Sequence, residues 1–157
     1  MSISEFKRIS LELLESADAA YVTTIDTDGY PQTRCMFNLR SKTQFPKLTG
    51  VFKDHMEDFM ILFSTNTSSE KIIQIEANSA ACIYYCAPKD FHGLMLAGNI
   101  EILNDPGIRE TIWQDGWERY YPKGPNDPDH TVLRLYPKKA KGWCKGRPFQ
   151  FRLTEPK

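Results

Sequence analysis

The longest strand-like segment of the chain, residues 91–103, contains a glycine near its middle. Glycine weakens a strand and often marks a β-bulge or a sharp bend, where a sheet can curl. Gly98 therefore indicates a curved sheet. A barrel is the economical way to close the antiparallel strands that the rest of the sequence predicts.

Short segments rich in β-branched and aromatic residues recur along the chain and predict a mainly β fold. Residues 21–25 and 30–39 predict a hairpin around a turn at 26–29. The other predicted strands are residues 60–63, 80–86, 131–136 and 140–144, with a turn at 137–139 between the last two.

The second arm of the hairpin has two faces because side chains alternate along a strand. We expect the face with Thr33, Cys35, Phe37 and Leu39 to lie in the core. Arg34 then lies on the opposite face, either as an ordinary exposed arginine or as a cation positioned to hold a phosphate.

Capping patterns predict a helix at the N-terminus and another after residue 104. Ser2 and Glu5 have the spacing of a capping box, which predicts a helix to about residue 16. Asp105 and Pro106 begin another helix, whose aromatic face either covers the core, forms an interface or walls a ligand. Residues 40–54 lack a period and predict a long loop.

The overall composition is that of one globular domain spanning residues 1–157. The 20 basic and 20 acidic residues cancel, which argues against nucleic acid or an anionic membrane as the partner. There is no secretory apolar segment, so we expect a cytoplasmic protein. We expect the 4 cysteines to be reduced and buried rather than paired in disulfides.

The hydroxyl-rich stretch of residues 63–71 predicts a strand-to-helix turn. Ser68 or Ser69 can cap the helix, and its first N–H groups together with the Thr65 hydroxyl can cradle a phosphate. Lys71 suits a bound anion, whereas Glu70 suits an empty helix start. A plain capped helix and a phosphate site are both compatible with this turn.

Several catalytic classes find no support in the sequence. It contains no Gly-x-Ser-x-Gly elbow, no phosphate-binding Gly-x-x-x-x-Gly-Lys loop and no His-Glu-x-x-His motif. Cys82 and Cys86 share a strand face but are too widely spaced to share a metal. The three histidines are isolated in the sequence, so we predict neither a metal site nor a catalytic side chain.

The order of these elements, together with several local strings, resembles a known family. These strings are residues 21–24 with 28–31 and Arg34, residues 63–71, residues 98–101, and residues 113–135. Over roughly residues 5–144 the chain is similar to the pyridoxamine 5'-phosphate oxidase-like FMN-binding split-barrel proteins, and most closely to their general-stress-protein branch.

This resemblance implies an antiparallel split β-barrel of six or seven strands with flanking helices. It also implies a homodimer with FMN at the subunit interface. Arg34 and Lys71 correspond to the phosphate-binding cations, with Ser64, Thr65 and Ser69 as their hydroxyl and backbone partners. The residues whose backbone borders the flavin ring are Cys35, Met36 and Phe37.

The chain departs from the oxidase itself at three positions. Glu70 replaces a second cation, Gly93 stands where the oxidase has a flavin-contacting glutamine, and Tyr136 replaces the histidine of an Arg-x-His motif. We therefore expect a flavin-dependent oxidoreductase with another substrate rather than a pyridoxamine-phosphate oxidase. The alternatives are a non-catalytic flavin-binding stress-response module, or a barrel that binds haem or a deazaflavin.

Overall fold

The structure is a computed structural model that describes residues 1–156. Its helices are Ile3–Ser16 (α1), Thr49–Phe52 (α2), Glu70–Ala77 (α3) and Pro106–Ile112 (α4). Its strands are Ala20–Ile25 (β1), Pro31–Met36 (β2), Ile61–Asn66 (β3), Ala80–Ala87 (β4), His92–Leu103 (β5), His130–Cys144 (β6) and Arg147–Arg152 (β7).

The strands form one 7-stranded antiparallel sheet in the order β2-β1-β4-β5-β6-β3, and β7 pairs with β6. The first part of β6 lies between β5 and β3, and its second part lies between β5 and β7. The sheet curls without closing, since β2 and β3 are not paired with each other. The expected split β-barrel is thereby confirmed.

Gly98 lies at the predicted irregularity of the sheet. Ala97 pairs with Lys139 and Gly98 with Pro137, so β6 contributes one extra residue, Lys138. A Cβ atom at Gly98 would lie 2.8 Å from the carbonyl oxygen of Tyr136. This distance is too short for any residue with a side chain, so the close approach requires glycine. The bulge is confirmed.

The turn predicted at residues 137–139 is wrong because β6 continues through it. Pro137 is tolerated inside the strand because the bulge removes the need for its missing N–H. The real reversal lies at Lys145 and Gly146, which have φ angles of 48° and 76°. It leads into β7, which the sequence analysis missed although buried Phe149 and Phe151 alternate with exposed residues there.

The predicted hairpin and helix starts are confirmed. One Asp26 carboxylate oxygen accepts hydrogen bonds from the N–H groups of Asp28 at 2.9 Å and Tyr30 at 2.8 Å. The capping box of α1 is complete, since Ser2 and Glu5 bond reciprocally. Asp105 accepts from the N–H of Gly107 at 2.9 Å and so caps α4.

The faces of β2 are the reverse of the prediction. Thr33, Cys35 and Phe37 are exposed, while Arg34 and Met36 are half-buried. The strand lies at the edge of the sheet, and the side chain of Arg34 contacts Gln74 of α3.

The cysteine prediction is correct for pairing and largely wrong for burial. All the cysteines are free, as expected. Cys144 is buried, but Cys82 and Cys86 are only partly covered and Cys35 is exposed. The thiols of three of them therefore lie at or near the surface of the chain, because alternation places those side chains on the outer face of the sheet.

The core is divided between two groups of buried residues. The larger group lies inside the curled sheet beneath α1 and α3. The second includes Phe45 and Leu48, which come from the segment expected to be a loop, and Leu39, which is buried as predicted. Buried Arg40 anchors that segment by donating a 2.8 Å hydrogen bond to the carbonyl of Met60, so residues 40–54 are packed.

Candidate functional site

A cleft of about 390 Å³ opens between the end of β2, the end of β3 and the aromatic segment after α4. Five of the predicted site residues line it, namely Cys35, Met36, Phe37, Ser64 and Thr65. Its other lining residues are Asp18, Ala19, Gln44, Asn66, Trp117, Tyr120 and Tyr121. A cleft of this size and aromatic character suits a planar ligand.

The turn between β3 and α3 borders the cleft at Thr65. Lys71 donates hydrogen bonds from Nζ to the hydroxyl of Thr65 at 2.8 Å and to that of Ser69 at 3.1 Å. Ser69 occupies the N-cap position, but its side chain does not accept from a helix N–H. The expected serine cap is therefore wrong, and no side chain caps the first turn of α3 within the described residues.

Arg34 reaches the same region from β2. Its Nη1 donates to the Thr24 hydroxyl at 2.6 Å, and its Nη2 donates to the side-chain carbonyl of Gln74 at 3.2 Å. That carbonyl also accepts from Thr24 at 2.6 Å. These bonds hold the guanidinium against α3 rather than leaving it free on the strand.

Arg34 and Lys71 form a cation pair with no carboxylate oxygen within 4.0 Å of either group in the part of the chain described. Burial lowers the pKa of Lys71, and the charge of Arg34 lowers that pKa further. Burial also lowers the pKa of Arg34, whereas the charge of Glu70 raises it. An anion bound between the two cations would relieve both effects.

Glu70, whose carboxylate would repel a bound anion, is exposed at the start of α3. It forms no ion pair or side-chain hydrogen bond among residues 1–156. Its carboxylate therefore does not occupy the position between Arg34 and Lys71.

The opposite end of the cleft is aromatic. Tyr120 and Tyr121 lie edge to face with ring centroids 6.3 Å apart, and Phe37 lies 6.4 Å from Tyr120. Trp117 is buried behind them. Within residues 1–156 the edge strand β2 pairs only with β1, so backbone groups along its other edge are available to a ligand.

Sequence reasoning missed the polar group behind this wall. The Ser64 hydroxyl lies 3.0 Å from Nε2 of His130 and 3.1 Å from the Tyr121 hydroxyl. Ser64 and His130 are 66 positions apart, so no local motif could have joined them. Both ring nitrogens of His130 are within hydrogen-bond distance of a partner, and the described residues contain no cluster that could hold a metal.

Comparison with known proteins identifies the family. Residues 9–144 match the family described as Pyridoxamine 5'-phosphate oxidase. The chain belongs to the pyridoxamine 5'-phosphate oxidase family. No curated protein matched the chain. Among its described residues, no helix is both long and apolar enough to cross a membrane.

Solved structures of the family agree with this fold. A Clostridium acetobutylicum protein, related to general stress protein 26 of Bacillus subtilis, is 32% identical with a TM-score of 0.77. The alignment covers 96% of each chain. General stress protein 26 from Bacillus anthracis is 18% identical with a TM-score of 0.71, and its alignment covers 95% of this chain and 99% of that one.

A structure with the same fold but lower sequence identity is named for binding heme. A heme binding protein from Mycobacterium smegmatis is 14% identical with a TM-score of 0.67. The alignment covers 93% of this chain and 57% of that one. At this identity the likeness shows the fold alone, so the cofactor of this chain depends on its own residues.

Proposed function

We propose that the cleft binds FMN and that the protein is a flavin-dependent oxidoreductase. The observation that carries this proposal is the cation pair of Arg34 and Lys71, which lies beside the cleft at a helix start without a side-chain cap. Helix N-termini and paired cations are the usual partners of a phosphate group. The phosphate of FMN would match the cation pair beside the cleft, and its flat ring would match the aromatic cleft itself.

The phosphate would bind to Arg34, Lys71, the hydroxyls of Thr65 and Ser69, and the first N–H groups of α3. The ring would lie against the backbone of residues 35–37, with Ser64 beside it. When bound, a flavin supplies hydride or electron transfer. The contribution of the chain is to hold the phosphate, orient the ring and use its aromatic wall to exclude water.

We further propose a homodimer with the flavin at the subunit interface. The outer face of the sheet carries exposed aromatic side chains, including Tyr21 at 39%, Tyr84 at 44% and Trp143 at 47% exposure. Tyr21 pairs with Cys35 of the cleft on one side and with Tyr84 on the other. This aromatic surface is therefore continuous with the cleft, and a second copy of the chain would cover both.

Oxidation of pyridoxamine phosphate itself is not part of the proposal. A Cβ atom at Gly93 would lie 2.0 Å from the Tyr84 hydroxyl, so a glutamine there would require Tyr84 to move. Tyr136 stands in the place of the histidine of the oxidase motif. A second candidate is a non-catalytic flavin-binding stress-response module, which exposed Glu70 beside the phosphate position favours.

An absorbance spectrum of the purified protein tests these proposals directly. A flavin spectrum, or quenching of FMN fluorescence when apoprotein is added, is the expected result. A Soret band would indicate haem and a deazaflavin spectrum would indicate that cofactor. A colourless protein that leaves added FMN fluorescence unchanged would contradict FMN binding.

A second measurement separates the oxidoreductase from the non-catalytic module. Rapid bleaching of the bound flavin by NADH or NADPH supports the oxidoreductase. Stable FMN binding without bleaching by either nucleotide, or by any other tested reductant, favours the module.

A further inference from the structure

The hydroxyls of Ser64 and Tyr121 and the imidazole of His130 form one hydrogen-bonded chain at the aromatic end of the cleft. Ser64 and Tyr121 line the cleft. His130 is fully buried behind them, with its ring centroid 4.4 Å from that of Tyr121. None of these contacts is needed to bind a phosphate at the other end of the cleft.

The backbone determines which way this chain of hydrogen bonds runs. Nδ1 of His130 lies 2.7 Å from the carbonyl oxygen of Pro125, and a carbonyl can only accept. Nδ1 therefore carries the proton, and in the neutral ring Nε2 is an acceptor. The Ser64 hydroxyl must then donate to Nε2, which leaves its oxygen to accept from Tyr121.

We propose that Tyr121, Ser64 and His130 form a proton relay that opens on the cleft and accepts a proton from an N–H or O–H group of the bound ligand. The ligand proton passes to the Tyr121 oxygen, the Tyr121 proton to Ser64 and the Ser64 proton to Nε2 of His130. The ligand gains one negative charge and His130 becomes an imidazolium. The reverse sequence returns the proton.

The surroundings of His130 suit this role. Burial lowers the pKa of His130, and the charge of Arg109 on α4 lowers it further, which favours the neutral form of the ring. The carbonyl of Pro125 and the charge of Asp127 raise that pKa and would stabilise the imidazolium once it forms. Trp113 and Trp117 surround the ring with no competing hydrogen bond to Nε2 among the described residues.

Tyr121 is the member that would touch the ligand, and Ser64 and His130 act through it. With neutral His130, the lone pairs of the Tyr121 oxygen remain free to accept from a ligand. With protonated His130, each hydroxyl reverses and Tyr121 becomes a donor. At a pH above the pKa of His130, this end of the cleft therefore accepts a hydrogen bond from a donor group of the ligand.

NMR of the flavin-free protein tests the relay without relying on the proposed function. We expect His130 to be protonated at Nδ1, with a titration midpoint below the ordinary histidine value of about 6.5. The Cζ shift of Tyr121 should follow the same midpoint. Ser64→Ala should remove most of that Tyr121 response, and Ser64→Thr should restore it.

Two NMR results would overturn the relay. One is protonation of His130 at Nε2 in the neutral ring. The other is a Tyr121 response that keeps its full amplitude in Ser64→Ala.

Riboflavin binding tests whether the relay reaches a ligand, since the riboflavin ring carries an N–H group and no titrating phosphate. This arm rests on the proposed function. The affinity of the protein for riboflavin should fall roughly fivefold, the equivalent of one hydrogen bond, between about pH 8 and about pH 5. The fall should disappear in His130→Gln and in Tyr121→Phe, which removes only the hydroxyl.

The matched control is His92→Gln, because burial also lowers the pKa of His92 while that residue lies outside the cleft. The control should keep the full decrease in affinity. Equal decreases in riboflavin affinity in the wild type, in His130→Gln and in Tyr121→Phe would overturn the proposed contact between the relay and the ligand. Absence of all flavin binding would contradict the proposed function, and the NMR result would then decide the relay alone.

Discussion

Beside one end of the cleft, next to Thr65, Arg34 and Lys71 are half-buried cations that have no carboxylate partner among the described residues. At the other end, Trp117, Tyr121 and His130 are buried rings that pack on one another. Burying an unpaired cation costs free energy, whereas burying aromatic surface stabilises a fold. Packing at the aromatic end therefore stabilises the fold, whereas the cations without a carboxylate partner fit the proposed role in binding an anion.

Removal of an aromatic ring should have the largest effect. Trp117→Ala should lower the free energy of unfolding by about 3 to 5 kcal/mol, since the ring is 6% exposed and packs on Phe45, Trp113 and His130. Urea denaturation measures it. Lys71→Met is the matched change at the other end and should be neutral or stabilising. A large decrease in the free energy of unfolding in Lys71→Met would contradict this division between the two regions.

Removal of a cation should act on binding instead. Lys71→Ala should weaken FMN binding by about 1.5 to 3 kcal/mol, the scale of a charge-assisted hydrogen bond. Riboflavin, which lacks the phosphate, should lose less affinity. Fluorescence quenching measures both constants, and exposed Lys89→Ala is the control. Equal losses for the two flavins would place the phosphate elsewhere.

The pH dependence of stability reports on the aromatic end. Because burial lowers the pKa of His130, the unfolded chain binds more protons than the folded chain just below about pH 6.5. Stability should therefore fall on acidification from that point, by at most about 1.4 kcal/mol per pH unit for this one group. Urea denaturation midpoints measured across this pH range should decrease less steeply in His130→Gln than in the wild type. An equal slope in the two proteins would contradict the assignment of this pH dependence to His130.

The smallest expected effect concerns Glu70. Its exposed carboxylate lies close enough to raise the pKa of Arg34, yet it pairs with no cation in the described part of the chain. Glu70→Gln should raise FMN affinity roughly twofold, the scale of an exposed charge interaction. The gain should shrink at high salt. Weaker binding in Glu70→Gln would show that the carboxylate supports the site.

Local sequence patterns were sufficient at several turns and helix starts, where the interacting groups are close in the chain. The Asp26 turn and the capping box of Ser2 and Glu5 each depend on groups within a few residues of one another, and both are confirmed. Gly98 was found for a similar reason, because a glycine inside a strand usually marks a bulge or a bend. The alternation of Phe149 and Phe151 was an equally local signal for β7, but it was overlooked and the strand was missed.

Patterns failed where a distant element decides the outcome. Alternation separated the two faces of β2 but could not say which face is covered. That choice depends on α3, where Gln74 contacts Arg34 from 40 positions away. The turn predicted at residues 137–139 failed because only the pairing with β5 shows the bulge that keeps Pro137 within β6.

The candidate site divides in the same way. The sequence by itself determined most of the strand segments, the β3-to-α3 turn and the residue types suited to a phosphate, since these follow from local propensity and spacing, while the split barrel was expected from the family resemblance. Only the tertiary structure decided that Lys71 binds Thr65 and Ser69 while Glu70 stays exposed, and that His130 meets Ser64 behind the cleft. Those contacts depend on how the curled sheet brings distant strands and loops together, which no local pattern encodes.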